Sequence, residues 1–294
     1  YLAARTERLS LGSAVMQMPA RTPAATATTA MTLDAVSGGR FMLGLGLSGP
    51  QVVEGWHGVA YGPPLQRTRE YVDIVRRVVA RDEALSYRGQ VYSIPYHGHD
   101  ATGLGKPLKS ILHPVRRAIP VYLSAIGPRN TRQTAAIADG WLPILYSPER
   151  EHVLCEHLDA GLADAGRDPG ELDIAATVSV AAGDDVEACR DLLRPFFALY
   201  IGGMGSRQTN FYADLVRRYG FEAAADRIQE RYLAGARDEA ARAVPDDLID
   251  EMALVGPIDR ITERLEAWRA SRITTLILGT QQPEVIQALA ATQR

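Results

Sequence analysis

The stretch SGGRFMLGLGLSGPQVVEGW, residues 37–56, decides how this chain is to be read. Gly44, Gly46 and Gly49 within it spell G-x-G-x-x-G, the spacing of a dinucleotide-binding loop. Such a loop has to open a helix at once, because the pyrophosphate sits on that helix's N-terminus. After Gly49 the residues PQVVEGWHGVAYGPP read instead as a run of loop, and no acid ends a following strand where a ribose would need one. The alternative is that Gly44 and Gly46 lie along a barrel strand. Small residues there let a flat ring approach the backbone at the C-terminal mouth, where barrels place their chemistry.

Working outward, strands and helices alternate. LSLGSAVMQ (9–17) reads as a buried strand, and TPAATATTAMTLDAVSGG (22–39) as a helix opened by Pro23 and stopped by Gly38 and Gly39. RFMLGLG (40–46) is the next strand. Residues 65–84 carry Tyr71, Ile74, Val75, Val78 and Val79 at helical spacing. Residues 85–95 suggest a small hairpin turning at Arg88 and Gly89, followed by a Gly- and Pro-rich excursion to residue 119. Strand-like PVYLSAI, GWLPILY, LDIAATVSVAAG and ITTLILG then alternate with helical segments, the last of them QPEVIQALAATQ (282–293), and residues 203–250 insert two or three further helices. Six strands flanked by helices imply a parallel α/β sheet. An open doubly wound sheet fits that number. So does a (β/α)8 barrel lacking its first two strands, the helix end YLAARTER being what would remain of the missing part.

Composition narrows the classes. The chain has 294 residues, 46% of them apolar and 23% charged, and a formal net charge of −3. That balance gives no broad electrostatic reason to bind nucleic acid or an anionic membrane. No apolar run approaches the ~20 residues of a membrane span. Cys155 and Cys189 are the only cysteines, which suggests a reducing cytoplasm and no disulfide framework. His97 and His99 in HGHD are two apart, but no third and fourth ligand stand at metal spacing.

Four segments carry a resemblance: LGSAVMQMPARTP, LDAVSGGRFMLGLGLSGPQVVEGWHG, HPVRRAIPVYLSAIGPRNTRQTAAIADGWLP and ALVGPIDRITERLEAW. They resemble the bacterial luciferase-like family, in its actinobacterial branch of deazaflavin (coenzyme F420)-dependent oxidoreductases. The likeness covers nearly the whole chain. It implies one barrel domain over 1–294, with insertions near 85–119 and 203–250 and about fifty N-terminal residues fewer than relatives have. It implies hydride transfer between F420 and a small organic substrate, and a homodimer. FMN with monooxygenase chemistry is the alternative cofactor and activity. A non-catalytic remnant or binding protein is a third possibility, because an open sheet exposes its edges.

By the same resemblance a non-prolyl cis peptide falls between Ala14 and Val15 and backs the cofactor ring, while Gln17 meets the ring's polar edge. Gly46 and Ser48 lie at the strand exit beside it. Ser124, Ala125, Ile126, Gly127 and Pro128 form the strand-to-helix turn that receives the cofactor phosphate in the family. Free N–H groups of a first helical turn attract an anion, and Gly127 allows an unusual backbone angle. Glu54 and His57, three apart, would share a helical face if their loop coiled, which suits proton handling beside a hydride transfer. The plainer role for that loop is packing around Trp56. A glucose-6-phosphate-type assignment does not follow, because the catalytic Glu of those relatives falls near Gly49. Residues 203–220 suggest a lid, from which Arg207 and Tyr212 could reach a substrate.

Overall fold

A computed structural model describes residues 1–291. The last two residues of the helix expected over 282–293 lie outside them. The described chain divides into two compact units, one of Tyr1–Ser124 with Gln133–Gly140, the other of Ala125–Arg132 with residues 141–291.

The first unit opens with α1 (Leu2–Arg5), β1 (Leu11–Gly12) and β2 (Met16–Gln17). The single buried strand expected over 9–17 is therefore two short strands, and Leu9 and Val15 are exposed. Helix α2 (Pro23–Ser37) follows its sequence signals closely. Thr22 caps it by accepting from the Ala25 N–H, Pro23 occupies the first turn, and Gly38 ends it at φ 66°. Strand β3 (Phe41–Gly46) is parallel to β1 and β2 on one side. Helix α3 (Pro50–Gly55) comes next, then α4 (Pro64–Ala80), which ends four residues before the expected limit because Arg81 takes a left-handed conformation. Tyr71, Ile74, Val75 and Val79 of α4 are buried, as the stripe required.

The hairpin is β4 (Tyr87–Arg88) against β5 (Ser93–Ile94), closed by Gly89 N–H to the Tyr92 carbonyl, so its turn lies after Arg88 rather than on it. An irregular, exposed excursion carries Lys106 and Lys109 and leads to β6 (Val121–Leu123), which pairs parallel with β3. Phe41, Leu43, Leu45, Val121 and Leu123 meet Ala27, Ala30, Met31, Tyr71 and Val75 of α2 and α4 in one core.

Helix α5 (Pro128–Ile137) and the two-residue β7 (Gly140–Trp141) stand where the units divide; β7 is shorter than the strand expected over 140–146. In the second unit α6 (His152–Ala165) precedes the ten-residue β8 (Asp173–Ala182) and α7 (Val186–Ala198). A π-helical turn, Leu199–Gly203, extends α7. Four helices then fill the insertion: α8 (Phe211–Arg218), α9 (Glu222–Leu233), α10 (Arg237–Arg242) and α11 (Asp246–Met252). Strand β9 (Ala253–Gly256), α12 (Ile258–Ala270), β10 (Thr275–Gly279) and α13 (Pro283–Ala291) complete the unit. Strand β10 pairs with the first half of β8 from Ala175 to Ser179, and β9 with its end from Ser179 to Ala182, all parallel. Strand β9 was not among the six expected. Among the described residues no helix is long and apolar enough to cross a membrane.

Candidate functional site

The register of the first three strands builds the site. Gly12 stands opposite Met42, and Met16 opposite Leu45. Three residues, Ser13, Ala14 and Val15, therefore span the gap that two residues, Leu43 and Gly44, span on β3. The extra residue makes a bulge. The Ala14–Val15 peptide within it is cis, as the resemblance implied. Ser13 fills the broken ladder: its hydroxyl donates to the Gly44 carbonyl (2.9 Å) and accepts from the Gly44 N–H (3.0 Å). Gly44, paired with Tyr122 on the β6 side, is thus hydrogen-bonded on the side of the bulge as well.

Beyond the bulge Gln17 stands opposite Gly46, and the Ser124 N–H donates to the Leu45 carbonyl at 3.0 Å. Gln17, Gly46 and Ser124 therefore form one row at the carboxyl ends of β2, β3 and β6. A Cβ on Gly46 would lie 2.5 Å from Cγ2 of Val15, so only glycine lets the valine side chain lie over the end of β3. Val15 is 36% exposed, which offers an apolar surface beside that row.

The segment after β3 differs from its expected course. Ser48 adopts φ 63°, a left-handed conformation unusual outside glycine, and redirects the chain. Gly49 then caps α3 directly: its carbonyl accepts from the Val52 and Val53 N–H groups, so the expected stretch of plain loop is replaced by a short helix. The dinucleotide reading still fails on geometry. Gly44 and Gly46 are strand residues rather than a turn, and Pro50 at the first helical position has no N–H to offer a phosphate. Val53 is fully buried and anchors α3, whereas Trp56 is 84% exposed, so the loop is not packed around the tryptophan.

Helix α3 ends at Gly55 and sends Glu54 and His57 different ways. One imidazole nitrogen of His57, Nε2, hydrogen-bonds Oε1 of Gln17 at 2.7 Å. Glu54 accepts from the Tyr61 N–H at 3.2 Å and fixes the return of the loop. His57 thus joins the row of Gln17, Gly46 and Ser124, and Glu54 supports its loop.

In the second unit the turn into α5 is held through its carbonyls. The buried Trp141 donates from Nε1 to the Ala125 carbonyl at 2.8 Å, Arg218 of α8 donates from Nη2 to that of Ile126 at 3.1 Å, and the Thr131 N–H donates to that of Gly127 at 2.9 Å. Ala125 and Ile126 are buried. Gly127 is not in the left-handed region, contrary to the expected unusual angle; a Cβ there would meet nothing within 4 Å, so the turn borders open space. Ser13 lies within the family-like segment and Arg218 within the expected lid, but neither residue was singled out, because each acts through a main-chain group distant in sequence.

The Tyr96 hydroxyl donates to Asp100 at 2.7 Å beside His97 and His99. Among the described residues no three His, Cys, Asp or Glu side chains gather as a metal ion would need. Cys155 and Cys189 are free and buried, and burial pushes the Cys155 thiol up to about 11, which makes it a poor nucleophile. In the insertion Asn210 caps α8 through Oδ1 and donates from Nδ2 to the Ile201 carbonyl at 2.8 Å, while Tyr212 meets the Tyr200 ring edge-on.

Comparison with known proteins places this geometry. A family model, luciferase-like monooxygenase, matches residues 1–275. The chain is 46% identical over 288 residues to a putative coenzyme F420-dependent oxidoreductase of Mycobacterium tuberculosis, covering 97% of this chain and 83% of the relative. Two solved structures superimpose over 98% of the chain. The coenzyme F420-dependent tetrahydromethanopterin reductase of Methanopyrus kandleri does so with a TM-score of 0.77, at 22% identity and over 82% of its own length. An F420-dependent secondary alcohol dehydrogenase in complex with an F420–acetone adduct gives 0.74, at 17% identity and over 78% of its length. These likenesses show the fold, an α/β barrel of the luciferase-like type. With most of its length matched by the family model and a relative of such identity, the chain belongs to the luciferase-like monooxygenase family.

Proposed function

We propose that this protein is an oxidoreductase that passes a hydride between coenzyme F420 and a small organic substrate. The observation that carries the reading is the row of Gln17, Gly46 and His57 beside the Val15 surface, in a chain 46% identical to a protein named as F420-dependent. These residues fit a planar ring. Val15 offers an apolar flank, Gly46 brings no side chain, and the bonded pair of Gln17 and His57 gives a polar edge. When bound, the deazaflavin supplies the two-electron chemistry.

The residues of the chain then bind, orient and handle protons. Ala14, Val15 and Gly46 support the ring, Gln17 hydrogen-bonds its edge, and Ser48 shapes the strand exit. Ser124, Ala125, Ile126, Gly127 and Pro128 take the phosphate, as the resemblance implies. His57 holds or delivers a proton at Nε2, and Glu54 keeps the loop that carries it. The protein works as a homodimer in the cytoplasm, the carry-over from the family and from two buried, unpaired cysteines.

The reading is tested by fluorescence and absorbance titration with F420 and, in parallel, with FMN. F420 is expected to bind saturably and FMN weakly. A protein that binds FMN alone and consumes oxygen once reduced would instead be a flavin monooxygenase, and one that binds neither would have no redox role.

A further inference from the structure

The whole-chain charge of −3 conceals a local balance of the opposite sign. Residues 101–117, the part of the excursion that leads to β6, hold Lys106, Lys109, Arg116 and Arg117 and no Asp or Glu. Asp34 engages Arg116, and Asp82 engages Arg117. Both lysines are exposed, and among the described residues no carboxylate lies within ion-pair distance of either. Lys109 donates from Nζ to a main-chain carbonyl, that of Asp82, at 2.9 Å.

The same residues carry apolar side chains that the fold leaves uncovered. Leu104 is 85% exposed and Ile111 91%, and Leu108, Leu112 and Val115 are exposed as well. A single exposed leucine is ordinary, but five such side chains along one short segment form a group. The segment is tied down. The Leu85 N–H donates to the Leu108 carbonyl at 2.8 Å, and Arg81 Nε to that of Ser110 at 2.8 Å. Gly105 lies against Pro95, so closely that a Cβ on it would stand 3.2 Å from the proline Cβ. Binding through these side chains therefore does not first have to order a free loop.

The chemistry of the group selects the partner. Single-stranded nucleic acid is held by stacking rings among the cations, and here the side chains are aliphatic. A folded protein reads a groove, a strand edge or a helix face, and residues 101–117 form no helix and no strand beyond one bridge at Leu108. A lipid surface makes no such demand of shape. Aliphatic side chains enter the boundary between headgroups and acyl chains in any order, while lysine ammonium groups stay among anionic headgroups. Irregular backbone does not enter hydrocarbon, so the contact is docking at the interface and not insertion.

We infer that residues 101–117 dock this protein on an anionic phospholipid surface, with Leu104, Leu108 and Ile111 entering the interface and Lys106 and Lys109 meeting the acidic headgroups. The inference does not depend on the cofactor reading above.

Co-sedimentation tests it, with vesicles of phosphatidylglycerol and phosphatidylcholine in equal parts and with vesicles of phosphatidylcholine alone. The wild type is expected to bind the mixed vesicles, less so as salt rises, and the neutral ones about tenfold more weakly. Lys106→Gln with Lys109→Gln should weaken binding to the mixed vesicles by about tenfold, and Leu104→Ser with Ile111→Ser by a similar factor. Val36→Ser, which removes an exposed apolar side chain from α2, should bind as wild type does. Circular dichroism checks that the variants fold, and the two double variants read the inference independently should one of them not fold. A wild type that ignores the mixed vesicles, or that binds both kinds equally, overturns the inference. So does a folded double variant that binds as wild type does. A concentration-dependent dimer that Leu104→Ser with Ile111→Ser dissolves, in a protein that ignores vesicles, would give the face to a second copy of the chain and overturn it too.

Discussion

Gly46 shows how one missing side chain can position a site. A methyl group at this residue would sit 2.5 Å from Val15 Cγ2, and a valine has little χ1 freedom with which to retreat. Gly46→Ala is therefore expected to destabilise the protein by about 1–3 kcal/mol and to weaken F420 binding as Val15 shifts. Gly12→Ala is the control: its Cβ would meet Met42 no closer than 3.7 Å, an ordinary contact, so thermal melting and titration should both stay near wild type. Gly44 and Gly46 were legible as strand residues from the sequence, whereas the short helix that Gly49 caps was not. The His57–Gln17 bond was not, although both residues were candidates, because forty positions separate them and only the parallel pairing of β2 with β3 sets Gln17 opposite Gly46.

Between elements, the small hairpin is tied to α4 by a single buried carboxylate. Glu70 is 1% exposed and accepts from the Gln90, Val91 and Tyr92 N–H groups at 2.7, 3.0 and 2.9 Å and from the Gln66 amide at 2.8 Å. Gly89 permits the approach, for a Cβ there would fall within 2.6 Å of the carboxylate. Glu70→Ala leaves three main-chain donors of the hairpin unpaired and is expected to cost about 3 kcal/mol in chemical denaturation. An equal loss for Gln66→Ala would show that the carboxylate is not the tie. Nothing in residues 85–95 announced this link. Hairpins are read from turn residues and alternation, whereas the partner here is a helical Glu some twenty positions earlier. Strand β9 and helix α3 escaped for a related reason: four and six residues are too few for a periodicity to show. The long elements α2, α4 and β8 showed it and were found where expected.

For the whole molecule, charge sets the pH range of stability. Burial alone would raise the carboxyl pKa of Glu70 and Asp250, but hydrogen bonds to Glu70 and the guanidinium groups of Arg190 and Arg260 beside Asp250 outweigh it, and both lie below the ordinary value. A group depressed in the folded state contributes stability above its unfolded pKa and loses it as pH falls through the folded one. At the other end burial pushes Tyr92 and Tyr212 up to about 12 from 10.0. Their unfolded forms ionise first, so stability present below pH 10.0 is lost as pH rises toward 12. Urea midpoints are thus expected to be flat from about pH 5 to about pH 8.5, where the raised Cys155 thiol begins the alkaline loss, and to fall on both sides. A midpoint still rising below pH 4 would contradict the acidic arm. The fold class of the whole chain was legible from strand–helix alternation together with the four family-like segments. The insertion was legible only as helical, since contacts such as Arg194 with Asp246 join residues about fifty apart.

The exposed excursion before β6 has a practical consequence. Lys106 and Lys109 are the chain's only lysines, against thirty arginines, and both are exposed. Side-chain amine reagents, whether dyes, biotin esters or activated resins, will therefore meet this protein along one short loop, and a surface coupled through it will hold every molecule by the same handle.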